Sequence, residues 1–183
     1  MDTRRSLLFV TNSELGQASV ILAVAYEFLL QREYEVHIAS FPALQKDVEQ
    51  LNDTAARLSN GACSAIEFHP LAGKSMKEAA PPGTEFLDLH APGTTGALFA
   101  YDNVLPATFA PWHGTQYMIG YSSTVEIINE TAPDLVIVDP LFSQGVDACN
   151  AIGQKCLILS PNTLKELVLD RQPGGGALWK FPA

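Results

Sequence analysis

Five short runs of apolar, largely β-branched residues recur along the chain, at 6–11, 35–41, 64–68, 134–139 and 155–160. They are continuous rather than alternating, the pattern of strands buried on both faces of a parallel sheet. Helical patterns separate them. The segment 17–31 carries apolar residues at 21, 22, 24, 25, 28 and 29, a broad helical stripe. The segment 46–58 is a more polar helix, and 113–131 sets Tyr117, Tyr121, Val125 and Ile128 on one side. Helices are also expected at 142–152 and, in a short form, at 163–169. Strands alternating with helices predict right-handed βαβ units. The expected fold is α/β and Rossmann-like: a mostly parallel sheet of at least five strands, order 3-2-1-4-5, flanked by helices.

One segment breaks this rhythm. Residues 71–112 are irregular and rich in Pro and Gly, yet hold Phe86, Leu89, Leu98, Phe99, Tyr101, Leu105, Phe109 and Trp112. That content is too apolar for disorder. A long excursion of this kind is a functional loop or a packed insertion. The first alternative makes it a partly helical wall of a hydrophobic pocket; the second gives it no ligand. The end, 171–183, follows the last helix as a tail whose Trp179 and Phe181 need something to pack on. The expected organisation is one domain over 1–170 with the insertion 71–112, and a tail directed toward a missing remainder or a partner.

Composition narrows the function. The net charge of −9, with no cluster of Lys and Arg, excludes nucleic acid as a partner. No apolar run approaches the ~20 residues of a membrane span, and the apolar run after Arg5 is too short for a signal peptide. Cys63, Cys149 and Cys156 are odd in number and lack metal-ligand spacing. They read as small buried core residues in a cytoplasmic protein. No metal site and no bound cofactor are expected: the chain contains no Cys/His cluster, no H-E-x-x-H, no G-x-G-x-x-G and no phosphate-binding P-loop.

Candidate chemistry lies at the strand ends, because ligands of open α/β sheets bind at the carboxyl edge. The first strand delivers Glu14, Gly16 and Gln17 in a short polar turn. The fourth ends at Asp139, before Pro140. In the order 3-2-1-4-5 these two strands are neighbours, so the turn and Asp139 face one crevice. Asp139 either caps the following helix or orients or supplies a general base. Gly16 allows close backbone approach or an unusual φ. Among the histidines, His37 lies within the second strand as a structural residue and His69 ends the third. His113, which opens a helix beside Trp112, is the candidate base if a histidine serves.

Several segments together resemble the N-terminal half of a UDP-glycosyltransferase of the fungal type. They are Glu14-Leu-Gly-Gln-Ala-Ser-Val-Ile-Leu-Ala, Asp134-Leu-Val-Ile-Val-Asp-Pro-Leu-Phe-Ser-Gln-Gly and Leu159-Ser-Pro-Asn-Thr-Leu. The resemblance implies two Rossmann-like domains, the first binding the acceptor and the second the UDP-sugar. It implies inverting transfer without a metal. It also implies a His base in the first turn, held by an Asp at the end of the fourth strand. Here Gln17 stands at the position of that His, and an amide is not a base near neutral pH. Asp139 matches the Asp. The base is then Asp139, directly or through water, or Glu14 or His113, with Gln17 orienting the acceptor hydroxyl. The acceptor-binding set is Gly16, Gln17, Phe86, Trp112, Tyr117 and Phe142. The expected acceptor is a hydrophobic alcohol such as a sterol, polyketide or phenol. UDP-sugar is expected as the co-substrate of the complete enzyme. The donor domain would lie on another chain, or the chain would associate with itself. A non-catalytic binding or regulatory module, and an unrelated flavodoxin-like small-molecule binder, are the alternatives.

Overall fold

The computed structural model describes residues 4–81, 93–99 and 109–161. Its strands are β1 (Arg5–Val10), β2 (Tyr34–Ser40), β3 (Glu67–Pro70), β4 (Leu135–Val138) and β5 (Cys156–Ile158). Its helices are α1 (Leu15–Gln31), α2 (Gln45–Leu58), α3 (Met76–Ala79), α4 (Thr94–Phe99), α5 (Gly114–Thr131) and α6 (Ser143–Ile152). All strand pairs are parallel and the order is β3-β2-β1-β4-β5, as the apolar runs predict. The expected helix at 163–169, Phe86 and the tail 171–183 lie outside the described residues.

Side chains along a strand alternate between the faces, and here each face finds a cover. Leu7, Phe9, Val36, Ile38 and Ile137 pack under α1 and α2 against Ala18, Ile21, Ala25, Leu29 and Val48. On the other face Leu8, Val10, Val136 and Val138 pack under α5 and α6 against Ile127, Ile128, Phe142 and Ala148. Two covers explain why β1 and β4 read as unbroken apolar runs. The cysteines join these cores: Cys149 is wholly buried, and Cys63 and Cys156 are half-buried, all three as free thiols. Burial, with Cys156 beside it, pushes the Cys149 thiol up to about 12.

One element differs from its sequence pattern. The third strand is expected at 64–68 but runs Glu67–Pro70. The reason is Asn52 of α2: its side chain donates to the Ile66 carbonyl at 2.9 Å and accepts the Ile66 N–H at 2.8 Å. With those groups taken, the ladder to β2 begins one residue later, at Glu67 opposite His37. Pro70 is tolerated because β3 is an edge strand. In α5 the fully buried stripe is Gly120, Thr124, Ile127 and Ile128, and Tyr121 and Val125 of the expected side pack half-buried against the same core. Thr124 is buried without cost to its hydroxyl, which donates to the Gly120 carbonyl at 2.8 Å.

The opening of the insertion is firmly built. The Ala72 N–H donates to Ser123 Oγ at 3.0 Å. Gly73 has φ +102° and presses on Ile119, whose Cγ2 would lie 3.2 Å from an added Cβ. A side chain there meets both backbone strain and a steric block. Trp112, buried at the far end of the insertion, donates its indole N–H to the Lys74 carbonyl at 2.8 Å. The excursion is partly helical, as expected, through α3 and α4.

Candidate functional site

In βαβ units the helices run back against the strands. The carboxyl ends of β1 and β4 and the N-termini of α1, α5 and α6 therefore share one edge of the sheet. Asp139 stands there with 1% of its surface exposed. Its Oδ2 accepts the Thr11 hydroxyl at 3.0 Å, and its Oδ1 accepts the Leu141 N–H at 2.9 Å. Asn12 adds a second clasp, its Nδ2 donating to the Leu141 carbonyl at 3.3 Å. Burial raises the Asp139 pKa; the hydrogen bonds from Leu141, Thr11 and the Asn12 backbone oppose that rise. Both carboxylate oxygens are engaged, so Asp139 is built as the knot between two loops.

Glu14 and Gln17 are arranged otherwise. Glu14 precedes α1, and its backbone carbonyl accepts the N–H groups of Gln17 and Ala18, each at 3.0 Å. Its side chain does not cap its own helix. Oε1 accepts the Lys77 N–H at 2.8 Å, so the first turn is fastened to α3 of the insertion. The second oxygen, Oε2, is buried and has no partner among the described residues. Gln17 Oε1 is in the same condition, as are Asn12 Oδ1, Ser40 Oγ and both amide atoms of Gln144. Among the described residues these are six of the seven such atoms, and all six belong to residues at the carboxyl edge; the seventh, Ser6 Oγ, lies at the opposite end. Each unmade buried hydrogen bond costs about 1–3 kcal/mol. Among the described residues they concentrate along one edge of the sheet.

Gln144 is the residue that sequence reasoning missed. It lies in the first turn of α6, is 1% exposed, and packs against Gly120 of α5, where an added Cβ would lie 3.6 Å from its Cγ. The signal for it is a pair: a polar residue just after a strand-end Asp, and a glycine on the facing helix to admit it. Thr11 and Asn12, also unremarked in the sequence, hold the same edge together.

The remaining candidates spread around this centre. Gly16 is exposed, with nothing within 4 Å of an added Cβ and no positive φ. His113 is exposed at the start of α5, its N–H donated to Gln116 Oε1 at 3.1 Å. The Tyr117 hydroxyl donates to Asp147 Oδ2 at 2.6 Å, joining α5 to α6; burial and that bond raise its pKa. Phe142 is wholly buried, edge-on to Phe41 with ring centroids 5.9 Å apart, and belongs to the core. An open hollow of about 410 Å³ lies between the insertion and α5, lined by Ala72, Thr115, Met118, Ile119, Ser122, Ser123 and Glu126. No helix among the described residues is long and apolar enough to cross a membrane.

Comparison with known proteins gives this edge a context. No protein-family model matches the chain. A glycosyltransferase of the fungus Sordaria araneosa, sdnJ, is 31% identical over 194 aligned residues, covering 98% of this chain. The chain spans 36% of that relative's length. Among solved structures, the glycosyltransferase SsfS6 of Streptomyces sp. SF2575 superposes with a TM-score of 0.56 at 15% identity, over 86% of this chain and 39% of its own. A second structure of SsfS6, complexed with thymidine diphosphate, gives a TM-score of 0.55 at 13% identity, over 86% of this chain and 38% of its own. The glycotransferase of kitacinnamycin gives a TM-score of 0.55 at 14% identity, over 97% of this chain and 38% of its own. At such identities the structural likeness is one of fold. In sequence and in fold, then, the chain is similar to the N-terminal half of a fungal-type glycosyltransferase built from two Rossmann-like domains.

Proposed function

We propose that the chain is the acceptor-binding part of an inverting, UDP-sugar-dependent glycosyltransferase acting on the hydroxyl of a hydrophobic small molecule. The observation that carries this reading is the row of unpartnered buried polar atoms along the carboxyl ends of β1 and β4. A hydroxyl-bearing ligand would satisfy them. The hollow beside Met118 and Ile119, together with the insertion 71–112, would receive the ligand's apolar body. The domain would be 1–170, and its three free thiols suit a cytoplasmic setting. The nucleotide sugar would sit on a second Rossmann-like unit, on another chain or a second copy. Thymidine diphosphate in SsfS6 supports a nucleoside-diphosphate donor.

Glu14 is the best-placed base. One of its oxygens is held by the Lys77 N–H, and the other is buried and has no partner among the described residues. Oε2 would take the acceptor hydroxyl proton as that oxygen attacks the anomeric carbon. The bond from that carbon to the diphosphate oxygen breaks, its electron pair leaves with UDP, and the configuration inverts. Gln17, whose Oε1 is the unpartnered atom, would accept a hydrogen bond from a second polar group of the acceptor and so orient it. Asp139, with both oxygens occupied, would hold the two loops in register as a positioning residue.

The test mixes the chain with a donor-domain polypeptide, UDP-glucose and a panel of sterols, phenols and polyketide alcohols. Sugar transfer is expected, and Glu14→Gln should lower kcat by roughly 100-fold or more while acceptor affinity holds. Transfer that survives Glu14→Gln removes Glu14 as the base. Acceptor binding without transfer favours a non-catalytic binding module, the reading that Gln17 in place of a histidine supports. Absence of any binding overturns the acceptor role.

A further inference from the structure

The edge of the sheet at β3 holds a second constellation that the glycosyl-transfer reading does not use. His37 of β2 pairs with Glu67 of β3, and Ala39 with His69. Residues two apart on a strand point to the same face. Register alone therefore puts His37, Glu67 and His69 side by side on the face covered by α5. Their ligating atoms converge. His37 Nδ1 and His69 Nε2 are 3.0 Å apart, His37 Nδ1 and Glu67 Oε2 3.5 Å, and His69 Nε2 and Glu67 Oε1 4.0 Å. All three donors fall within 4.8 Å of one another.

We propose that His37, Glu67 and His69 form a zinc site that clips the edge strand β3 to β2. A tetrahedral zinc ion with ligands about 2.0–2.2 Å away spaces its donors roughly 3.3–3.6 Å apart. The observed separations bracket that range, so shifts of a few tenths of an ångström close the site. Both imidazoles would bind as neutral rings, with the proton of His37 on Nε2 and that of His69 on Nδ1. His37 is buried and His69 largely so, which gives the ion two fixed nitrogen ligands. Glu67, 64% exposed, supplies the charge and leaves an approach from solvent. A water molecule would complete the coordination. Glu130 of α5 acts electrostatically on His69 and adds negative charge toward the cation.

Without metal, the 3.0 Å contact is an N–H···N hydrogen bond between the two rings, with Glu67 as a loose neighbour. The two arrangements differ in what they predict for zinc. Because β3 leads directly into the insertion, the ion would also fix the point from which residues 71–112 depart. This inference is independent of the proposed glycosyl transfer.

The experiment uses the 183-residue chain stripped with a chelator. Zinc is titrated against a chromophoric competitor, and cobalt is added as a spectroscopic probe. One zinc per chain at micromolar or tighter affinity is expected, with visible cobalt bands of intensity typical of tetrahedral coordination and a raised Tm. His69→Ala should weaken zinc binding by roughly 100-fold and Glu67→Gln by roughly 10-fold, while His113→Ala leaves it unchanged. Circular dichroism verifies that the His69 and Glu67 variants remain folded; Glu67 is exposed, and His69 lies on the edge strand β3. No stoichiometric binding, or binding that survives both His69→Ala and Glu67→Gln, overturns the proposal.

Discussion

The two ends of the β1–β4 pair are tied in the same way but in different surroundings. At the amino end, exposed Asp134 accepts the Ser6 N–H on Oδ2 at 2.8 Å, and its own N–H donates to the Ser6 carbonyl at 2.9 Å. At the carboxyl end, buried Asp139 accepts the Thr11 hydroxyl on Oδ2, and its N–H donates to the Val10 carbonyl at 3.0 Å. Asp134 shows that the tie needs no burial. The covering of Asp139 therefore serves the edge rather than the strand pair. That edge carries the first turn, tied through Glu14 to α3, and the start of α6, and it is where the unpartnered polar atoms collect among the described residues.

The largest test of this contrast is a pair of alanine variants in urea. Asp139→Ala strips the Thr11 hydroxyl and the Leu141 N–H of a buried acceptor and should cost about 2–4 kcal/mol. Asp134→Ala leaves its donor free to bond water and should cost less than about 1 kcal/mol. Equal losses would erase the distinction between the two ends.

The pH dependence sharpens it at a smaller scale. Burial raises the Asp139 pKa in the folded chain. Between the unfolded value, near 3.9 for an ordinary Asp, and the raised folded value, the folded state binds more protons than the unfolded one. The stabilising contribution is therefore fully present below the unfolded value and is lost as pH rises through the folded one. Asp139→Asn lacks this titration. The stability of the wild-type chain relative to Asp139→Asn should climb as pH falls toward about 4. A difference that is flat with pH, or that falls on acidification, would mean that the hydrogen bonds outweigh desolvation.

Much of the fold was legible in the sequence because burial on both faces leaves continuous apolar runs, and only parallel order accommodates five of them between helices. Long-range polar contacts were not. The displacement of β3 depends on Asn52 claiming the backbone of Ile66, a contact across 14 positions that no local pattern records. The turn 13–17 and Asp139 were visible as polar interruptions at strand ends. That both oxygens of Asp139 are occupied, and that one oxygen of Glu14 is not, depends on which loops cross there. His37 and His69 looked unrelated, one inside a strand and one at a strand end. Only the register between β2 and β3 makes them neighbours.

Gln144 carries the smallest stability effect and the most discriminating one. It is five residues beyond Asp139 and equally buried, yet neither amide atom has a partner among the described residues, whereas both Asp139 oxygens do. Replacing a satisfied buried group is destabilising; replacing an unsatisfied one with an apolar side chain of similar shape is neutral or better. Gln144→Leu should therefore shift unfolding by less than about 1 kcal/mol, or stabilise the chain, since Leu fills the space against Gly120. The same substitution should weaken binding of a hydroxyl-bearing acceptor by roughly 10-fold, because one bound hydrogen bond is lost. The two readouts then move apart, as they do when a group is kept for a ligand at the expense of the fold. If both worsen together, the amide is satisfied within the folded chain, and the unpartnered row along the carboxyl edge loses the residue that contributes two of its atoms.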